Sequence, residues 1–178
     1  MSGAILNGAD LYCAQLYGAE LYGAQAQEVR MAGAVLSGAW LCNGWNYDAA
    51  NFSSGHDTTI LSSAEFYGAC VHGAHFVGAN LANSKFTGIQ DFNGTDFTKA
   101  DLWESDFQNT KLAGSIFEHS RIGRANFSHA DLRGAHWNPD DADAAYYCDT
   151  TMPNNQVVND GCVSPPKRSV ESQRPRCQ

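Results

Sequence analysis

The chain has 178 residues, a formal net charge of −8 and a hydrophobic content of 43%. This acidic balance disfavours direct binding to nucleic acid through charge neutralisation, although residues 163–178 are locally basic. No run of 18 apolar residues occurs, so the sequence predicts no membrane-spanning helix. The N-terminus has no signal-peptide core, so the protein is expected to be cytoplasmic unless a targeting segment is absent from this chain.

From Ala4 onward, a large apolar residue recurs at every fifth position, a period that fits neither an amphipathic helix nor an alternating strand. We call it the central residue of each five-residue repeat. The frame shifts by one residue near Asn43 and near Ile89, and it breaks at residues 55–58. The central residues are Leu6, Leu11, Leu16, Leu21, Ala26, Met31, Leu36, Leu41, Tyr47, Phe52, Leu61, Phe66, Val71, Phe76, Leu81, Phe86, Phe92, Phe97, Leu102, Phe107, Leu112, Phe117, Ile122, Phe127, Leu132 and Trp137.

A small residue precedes nearly every central residue by two positions. Of these 26 positions, 16 hold Ala and 7 hold Ser or Thr, and the exceptions are Val29, Trp45 and Gln90. A fixed internal period of this kind indicates a repeat architecture.

Residues 4–137 resemble the pentapeptide-repeat family, whose consensus is Ala-(Asp/Asn)-Leu-X-X. Direct matches begin at Ala9, Ala79, Ala100, Ala125 and Ala130. The resemblance implies an all-β fold, a right-handed quadrilateral parallel β-helix (solenoid) with one repeat per side. About seven coils stacked at roughly 4.8 Å would make a rod of roughly 30 Å.

In such a coil the central residue would fill the interior. The residue two positions earlier would also point inward, and only a small side chain would fit there beside four converging large ones. The predicted structural core includes Phe66, Phe76, Phe86, Phe97, Phe107, Phe117, Phe127, Ala64, Ala69, Ala74 and Ala79.

A coil of twenty residues predicts that central residues four repeats apart stack on one another. The prediction treats residues 55–58 as one irregular side, pushed out as a loop. One side would then stack Leu21, Leu41, Leu61, Leu81, Leu102 and Ile122. A second would stack Phe66, Phe86, Phe107 and Phe127, and a third Phe76, Phe97, Phe117 and Trp137.

Outward aromatic residues cluster near the N-terminus, and the candidate interaction rim comprises Tyr12, Tyr17, Tyr22, Trp40 and Trp45. The alternative is that they are scattered surface aromatics without a function. The first coil would expose an open β-edge over an apolar interior. We therefore expect this end to be buried against a protein partner or a second copy of the chain.

The sequence predicts no catalytic, metal or cofactor site. His56 adjoins Asp57, and His72 lies near His75, but neither pair has an evident nucleophile beside it. No CxxC motif indicates a metal site.

The cysteines divide into two groups. Cys13, Cys42 and Cys70 are predicted to be small semi-buried residues or exposed thiols. Cys148 and Cys162 bracket a segment with hairpin character and are a candidate disulfide, which would matter only in an oxidising compartment.

The repeats are predicted to end at Trp137. Pro139 followed by Asp140 and Asp141 predicts a short helix over residues 140–147, and residues 148–162 predict a hairpin around Asn154. The expected organisation is a β-helix over 1–137, a C-terminal helix and hairpin cap over 138–162, and a basic flexible tail over 163–178.

The resemblance implies a non-enzymatic rigid scaffold or protein–protein interaction module. Residues 148–162 are loosely similar to segments that follow the repeats in cyanobacterial family members. The interpretation extends to an accessory subunit in a photosynthetic organism, in an oxidising compartment such as the thylakoid lumen. The alternative is a DNA mimic that inhibits DNA gyrase or another DNA-binding protein, as some family members do. A continuous negative stripe on one side would favour mimicry, and a neutral aromatic rim would favour docking.

Overall fold

The computed structural model describes residues 2–42, 49–55 and 58–162, and within them the chain winds into a four-sided coil. Regular elements in this part are a 3-10 helix at Ala142–Ala144, strand β1 at Thr150–Thr151 and strand β2 at Val157–Val158. Elsewhere each side contributes one residue to parallel bridges with the coils before and after it. Asp10, for example, bridges Arg30, twenty residues later.

Each corner is a tight turn formed by residues that are close together in the sequence. The carbonyl of Leu6 accepts a hydrogen bond from the N–H of Ala9 at 2.9 Å, and Gly8 between them has a φ of +67°. A turn with positive φ at its third residue favours Gly or Asn, because other side chains are strained there. The same position holds Asn83, with a φ of +62°. One turn every five residues makes the coil square.

The Asp or Asn before many central residues fixes the corner that follows. Asp96 Oδ1 accepts a hydrogen bond from the N–H of Thr98 at 2.8 Å, the local bond that these residues favour in turns. The same arrangement occurs at Asp10, Asn51, Asn80, Asp91, Asp101, Asp106, Asn126 and Asp131. Much of the negative charge therefore has a structural role in the turns.

The central residues form four interior ladders, one for each side. Side 1 consists of Leu6, Ala26, Phe52, Phe76, Phe97, Phe117 and Trp137. Side 2 consists of Leu11, Met31, Leu61, Leu81, Leu102 and Ile122. Side 3 consists of Leu16, Leu36, Phe66, Phe86, Phe107, Phe127 and Tyr147. Side 4 consists of Leu21, Leu41, Val71, Phe92, Leu112, Leu132 and Met152.

The aromatic ladders stack with regular geometry. On side 3 the ring of Phe86 lies 4.7 Å from those of Phe66 and Phe107, centroid to centroid, with the planes nearly parallel. Between sides the rings meet edge to face, as Phe76 does with Phe66 at 5.8 Å. These are the two arrangements that aromatic pairs prefer.

The small residue two positions before each central residue points inward and is buried, and its side-chain hydroxyl, where it has one, is hydrogen-bonded. Ala64, Ala74 and Ala79 have no exposed surface, and Ala69 has 5%. Where Ser replaces Ala, its hydroxyl donates to the preceding central carbonyl, as Ser84 Oγ does to Leu81 O at 2.7 Å. No buried side-chain nitrogen or oxygen lacks a partner in the part of the chain that the structure describes.

The predicted register is wrong for Leu21 and Leu41. The N–H of Ala50 donates to Leu41 O at 2.7 Å, so the side of Phe52 follows the side of Leu41 directly. The sides of Leu41, Phe52 and Leu61 are therefore consecutive, which places Leu21 and Leu41 on side 4 beside Val71. The other predicted stacks on sides 1, 2 and 3 are observed. Tyr47, Trp45, His56 and Asp57 lie outside the described residues.

The predicted helix over residues 140–147 is also wrong, because only Ala142–Ala144 are helical. The coil continues past Trp137 instead, with parallel bridges from Asn126 to Tyr146 and from Asp131 to Thr151. Ala145 and Tyr147 repeat the small and large inward pattern, and both are buried. The Tyr147 hydroxyl donates to Ala142 O at 2.8 Å, and burial raises the pKa of this phenol well above its ordinary value.

A carboxylate completes side 2 where the helical segment interrupts the coil. Asp141 accepts hydrogen bonds from the N–H of Ile122 at 2.5 Å and from the N–H of Gly123 at 2.9 Å. On the earlier coils the N–H equivalent to that of Ile122 donates to a backbone carbonyl of the next coil, as Leu102 N–H does to Arg121 O at 2.7 Å. The N–H equivalent to that of Gly123 donates to a carboxylate or amide oxygen of its own repeat, as Trp103 N–H does to Asp101 Oδ1 at 3.2 Å. The Asp141 side chain thus satisfies donors that would otherwise be left at a free edge.

Candidate functional site

Four aromatic side chains lie along side 4 in the N-terminal part of the rod, and we call them the aromatic surface: Tyr17, Tyr22, Trp40 and Tyr67. Trp40 is the outward residue of side 4, bridged to Glu20 on one coil and Cys70 on the next. Tyr17 and Tyr67 lie at the corner between sides 3 and 4, and Tyr22 lies at the corner between sides 4 and 1. Tyr17 is 65% exposed, Trp40 51% and Tyr67 66%.

The turns beneath the aromatic surface carry little cover. Gly18 and Gly68 form turns at the corner between sides 3 and 4, with no atom within 4 Å of where a Cβ would lie. The Tyr67 ring lies over Gly88, 3.1 Å from the corresponding Cβ position. Trp40 contacts Tyr22 edge to face at 5.9 Å between ring centroids. The result is a shallow face with aromatic rings and exposed turns.

A disulfide joins consecutive coils at the edge of this surface. Cys42 and Cys70 are bonded, with their Cα atoms 5.3 Å apart. The prediction that they are thiols is wrong, because the corrected register places Leu41 and Cys70 on neighbouring coils of side 4. Cys13 is disulfide-bonded as well. A second disulfide joins Cys148 to Cys162 in the C-terminal hairpin.

The structure separates the members of the predicted rim. Tyr12 is 48% exposed at the corner between sides 2 and 3, away from side 4. Tyr17, Tyr22 and Trp40 share side 4 or its corners, and Trp45 lies outside the described residues. Sequence reasoning missed Tyr67, because only the correct register shows that its position lies two coils above Tyr17 on the same corner.

The first described coil has an open edge. Leu6, Leu11 and Leu16 are only partly buried, whereas Leu21 is fully buried. Within residues 2–42, 49–55 and 58–162, the backbone N–H groups of Asp10 and Gln15 have no backbone partner. Ile5 beside them is 80% exposed.

Opposite charges pair along the rod. Arg30 lies 3.5 Å from Asp10, Lys85 lies 2.7 Å from Glu65, and each pair joins adjacent coils. Arg121 pairs with Asp101 and Arg124 with Glu104 in the same way. A side-chain hydrogen bond from Arg133 lowers the pKa of Asp131.

These pairs place basic side chains among the acidic ones. On side 2 the outward residues run Asp10, Arg30, Ile60, Asn80, Asp101 and Arg121. The described residues therefore carry no continuous negative stripe along this side, the feature that would favour mimicry of DNA.

Three histidines of the described residues, His72, His119 and His129, lie close to a surface carboxylate. His72 Nδ1 lies 3.1 Å from Asp91 at the surface. No cluster of three or more metal-ligating side chains occurs among the described residues. The same part of the chain contains no helix long and apolar enough to cross a membrane.

Comparison with known proteins identifies the family. The family model for pentapeptide repeats matches eight copies, at residues 1–25, 9–43, 59–90 and 91–128. The chain belongs to the pentapeptide repeat family, whose members form right-handed quadrilateral β-helices. No curated protein is significantly similar to it in sequence.

Solved pentapeptide repeat structures match this chain at low sequence identity and with TM-scores below 0.5. HetL, involved in heterocyst differentiation regulation in Nostoc sp. strain PCC 7120, is 22% identical with a TM-score of 0.45 over 89% of this chain. The match covers 65% of HetL, so the chain spans less than two thirds of that protein's length. QnrB1, a plasmid-mediated fluoroquinolone resistance protein, is 16% identical over 89% of each chain, with a TM-score of 0.36. An Arabidopsis thaliana thylakoid lumen protein is 18% identical over 92% of this chain and 83% of its own, with a TM-score of 0.33.

Proposed function

We propose that the protein is a non-enzymatic rigid scaffold that binds a protein partner through the aromatic surface on side 4. The observation that carries the proposal is the exposure of Tyr17, Trp40 and Tyr67, each more than half accessible, on one side of the rod. Trp and Tyr are enriched at interface hot spots, because they bury a large area and fix few rotatable bonds.

The backbone favours binding because it is already ordered. Trp40 lies on a bridge between two coils, and the Cys42–Cys70 disulfide lies beside it. A surface held in this way loses little conformational entropy on association, so more of the contact energy appears as affinity.

The open edge of the first coil is the competing contact site, for a partner or for a second copy of this chain. Its rim would be Tyr12, Tyr17 and Tyr22, which lie on that coil. Partial exposure of Leu6, Leu11 and Leu16 supports this alternative. The two contacts share Tyr17 and Tyr22 but differ in Tyr12 and Tyr67, so substitutions can separate them.

Trp40→Ala with Tyr67→Ala is expected to remove the bound partner, and Tyr12→Ala is expected to leave it bound. Loss of one hot-spot residue costs at least about 2 kcal/mol, or roughly 30-fold in affinity. The measurement is affinity capture from the source organism with quantitative mass spectrometry, using tagged variants whose melting temperatures match the wild type.

The outcomes of this capture experiment are distinct. Loss of the same partner with Tyr12→Ala alone would assign the contact to the end of the first coil. Retention of every partner by both variants would overturn docking on either surface.

The proposed compartment is an oxidising one, such as the thylakoid lumen, where the protein would be an accessory subunit. Two disulfides among the described residues support this, since structural disulfides persist mainly outside reducing compartments. Alkylation of native protein without reduction, followed by peptide mapping, is expected to find Cys42, Cys70, Cys148 and Cys162 unmodified. Alkylation of all four would place the protein in a reducing compartment.

A further inference from the structure

The C-terminal hairpin covers the edge of the last coil on side 4. Strand β1 is shared, because Thr151 bridges Asp131 of the coil in parallel and pairs with Val157 of β2 in antiparallel. Beyond β2 itself, the N–H of Tyr147 donates to Asp160 O at 2.8 Å, and the N–H of Asp149 donates to Asn159 Oδ1 at 3.0 Å. The segment after the turn therefore accepts hydrogen bonds from backbone N–H groups that would otherwise face solvent.

Among the described residues, strand β2 makes little apolar contact. β2 has two residues, of which Val157 is 54% exposed and Val158 only partly buried. An outer strand of two residues with so small an apolar contact adds little stability of its own to the sheet. The bond between Cys148 and Cys162, whose Cα atoms are 4.5 Å apart, closes the hairpin from its open end.

We propose that the hairpin is a disulfide-held plug, and that its reduction lets β2 exchange between two copies of the chain. The reductant is a dithiol: the Cys148–Cys162 bond takes up two electrons and two protons to give two thiols, and the dithiol becomes a disulfide. β2 then leaves its own β1 and pairs with the β1 of a second copy. This inference is independent of the proposed docking on the aromatic surface.

The pairing register between β1 and β2 indicates which strand can replace β2. The edge of β1 accepts Val158 opposite Thr150 and Val157 opposite Thr151, so the identical strand of another copy fits it without change. Exchange of an identical element is a low-cost route to a dimer, provided that a hinge can open. The hinge is the turn before β2, where the N–H of Met152 donates to Gln156 O at 2.8 Å. An uncovered β-edge also favours pairing with another chain.

The test compares oxidised wild type with Cys148→Ser/Cys162→Ser, and uses Cys42→Ser/Cys70→Ser as the matched control. Size-exclusion chromatography with light scattering is expected to show a dimer only for Cys148→Ser/Cys162→Ser. The dimer fraction of this variant is expected to rise with protein concentration. In its monomer, the amides of Tyr147 and Asp149 are expected to exchange roughly a hundredfold faster than in the wild type, the effect of losing a cross-link that closes so short a loop.

Strand exchange leaves a covalent record in the wild type. Isotopically labelled and unlabelled chains are mixed, reduced with dithiothreitol, concentrated and re-oxidised, and the disulfide-linked peptides are identified by mass spectrometry. Peptides that join Cys148 of one copy to Cys162 of the other are expected. The proposal is overturned if these links form only within one copy, if the Cys148→Ser/Cys162→Ser variant stays monomeric, or if the oxidised protein or the control dimerises equally.

Discussion

Phe86→Ala is expected to lower the free energy of unfolding by about 3–5 kcal/mol. Phe86 is fully buried, with Phe66 and Phe107 stacked on its two faces at 4.7 Å. The neighbouring rings are anchored by backbone bridges on their own coils, so they cannot move in to fill the space. The substitution therefore removes apolar burial and leaves a cavity in the middle of a ladder.

Urea denaturation followed by circular dichroism measures this loss. Tyr67→Ala is the control, because Tyr67 follows Phe66 directly but is 66% exposed, and its truncation is expected to cost much less. A change below about 1 kcal/mol for Phe86→Ala would mean that the ladder collapses around the gap or that the ring is not buried.

Much of the fold could be predicted from the sequence because its rules are local. Each corner depends on a hydrogen bond between residues three apart, such as Leu6 O to Ala9 N–H, and on a third residue that tolerates positive φ. The five-residue period records these rules directly. The small residue two positions before each central residue reflects the crowded interior. Where this residue is Ser, its hydroxyl donates to the carbonyl of the preceding central residue.

The register across the irregular stretches could not be predicted in the same way. Periodicity does not reveal whether an interrupted stretch forms a side or lies between two sides. That choice depends on a single backbone contact, Ala50 N–H to Leu41 O, between residues nine apart. The wrong choice hid the proximity of Cys42 to Cys70, and it left Tyr67 out of the candidate surface.

The fold overrides the sequence signals that predict a C-terminal helix. Pro139 and the two following aspartates favour a helix start in isolation. Ala145 and Tyr147, however, fit the inward positions of another coil, and the Tyr147 ring stacks on Phe127 at 6.0 Å. Burial of that ring outweighs the weak helix preference of a short segment.

The distribution of charge and aromatic surface separates the two functional hypotheses. Aspartates that give the chain its acidic balance are used at the corners, as Asp96 is with Thr98, or are paired with basic residues on the next coil. Trp40 and Tyr67, by contrast, are more than half exposed. The described surface thus favours docking of a protein partner over imitation of DNA.

Ala74→Leu is expected to destabilise the protein by roughly 1–3 kcal/mol or more, because the inward position has no room for a larger side chain. Ala74 is fully buried between Val71 and Phe76 in the chain, both of which are buried as well. The cost lies in overpacking and not in polarity, since leucine is the more hydrophobic residue.

His75→Leu is the matched control, because it introduces the same leucine side chain at the next residue. His75 points outward, and its backbone makes the inter-coil bonds to Ala50 and Phe52 that any residue would make. Its replacement is expected to leave the stability almost unchanged.

The melting temperatures of these two variants test the square coil and its register most directly. Ala74→Leu is expected to melt well below the wild type, by about 2–4 °C for each kcal/mol lost in a chain of this size, while His75→Leu melts with the wild type. Equal melting temperatures for the two variants would contradict the inward and outward assignment on which the whole account of this protein depends.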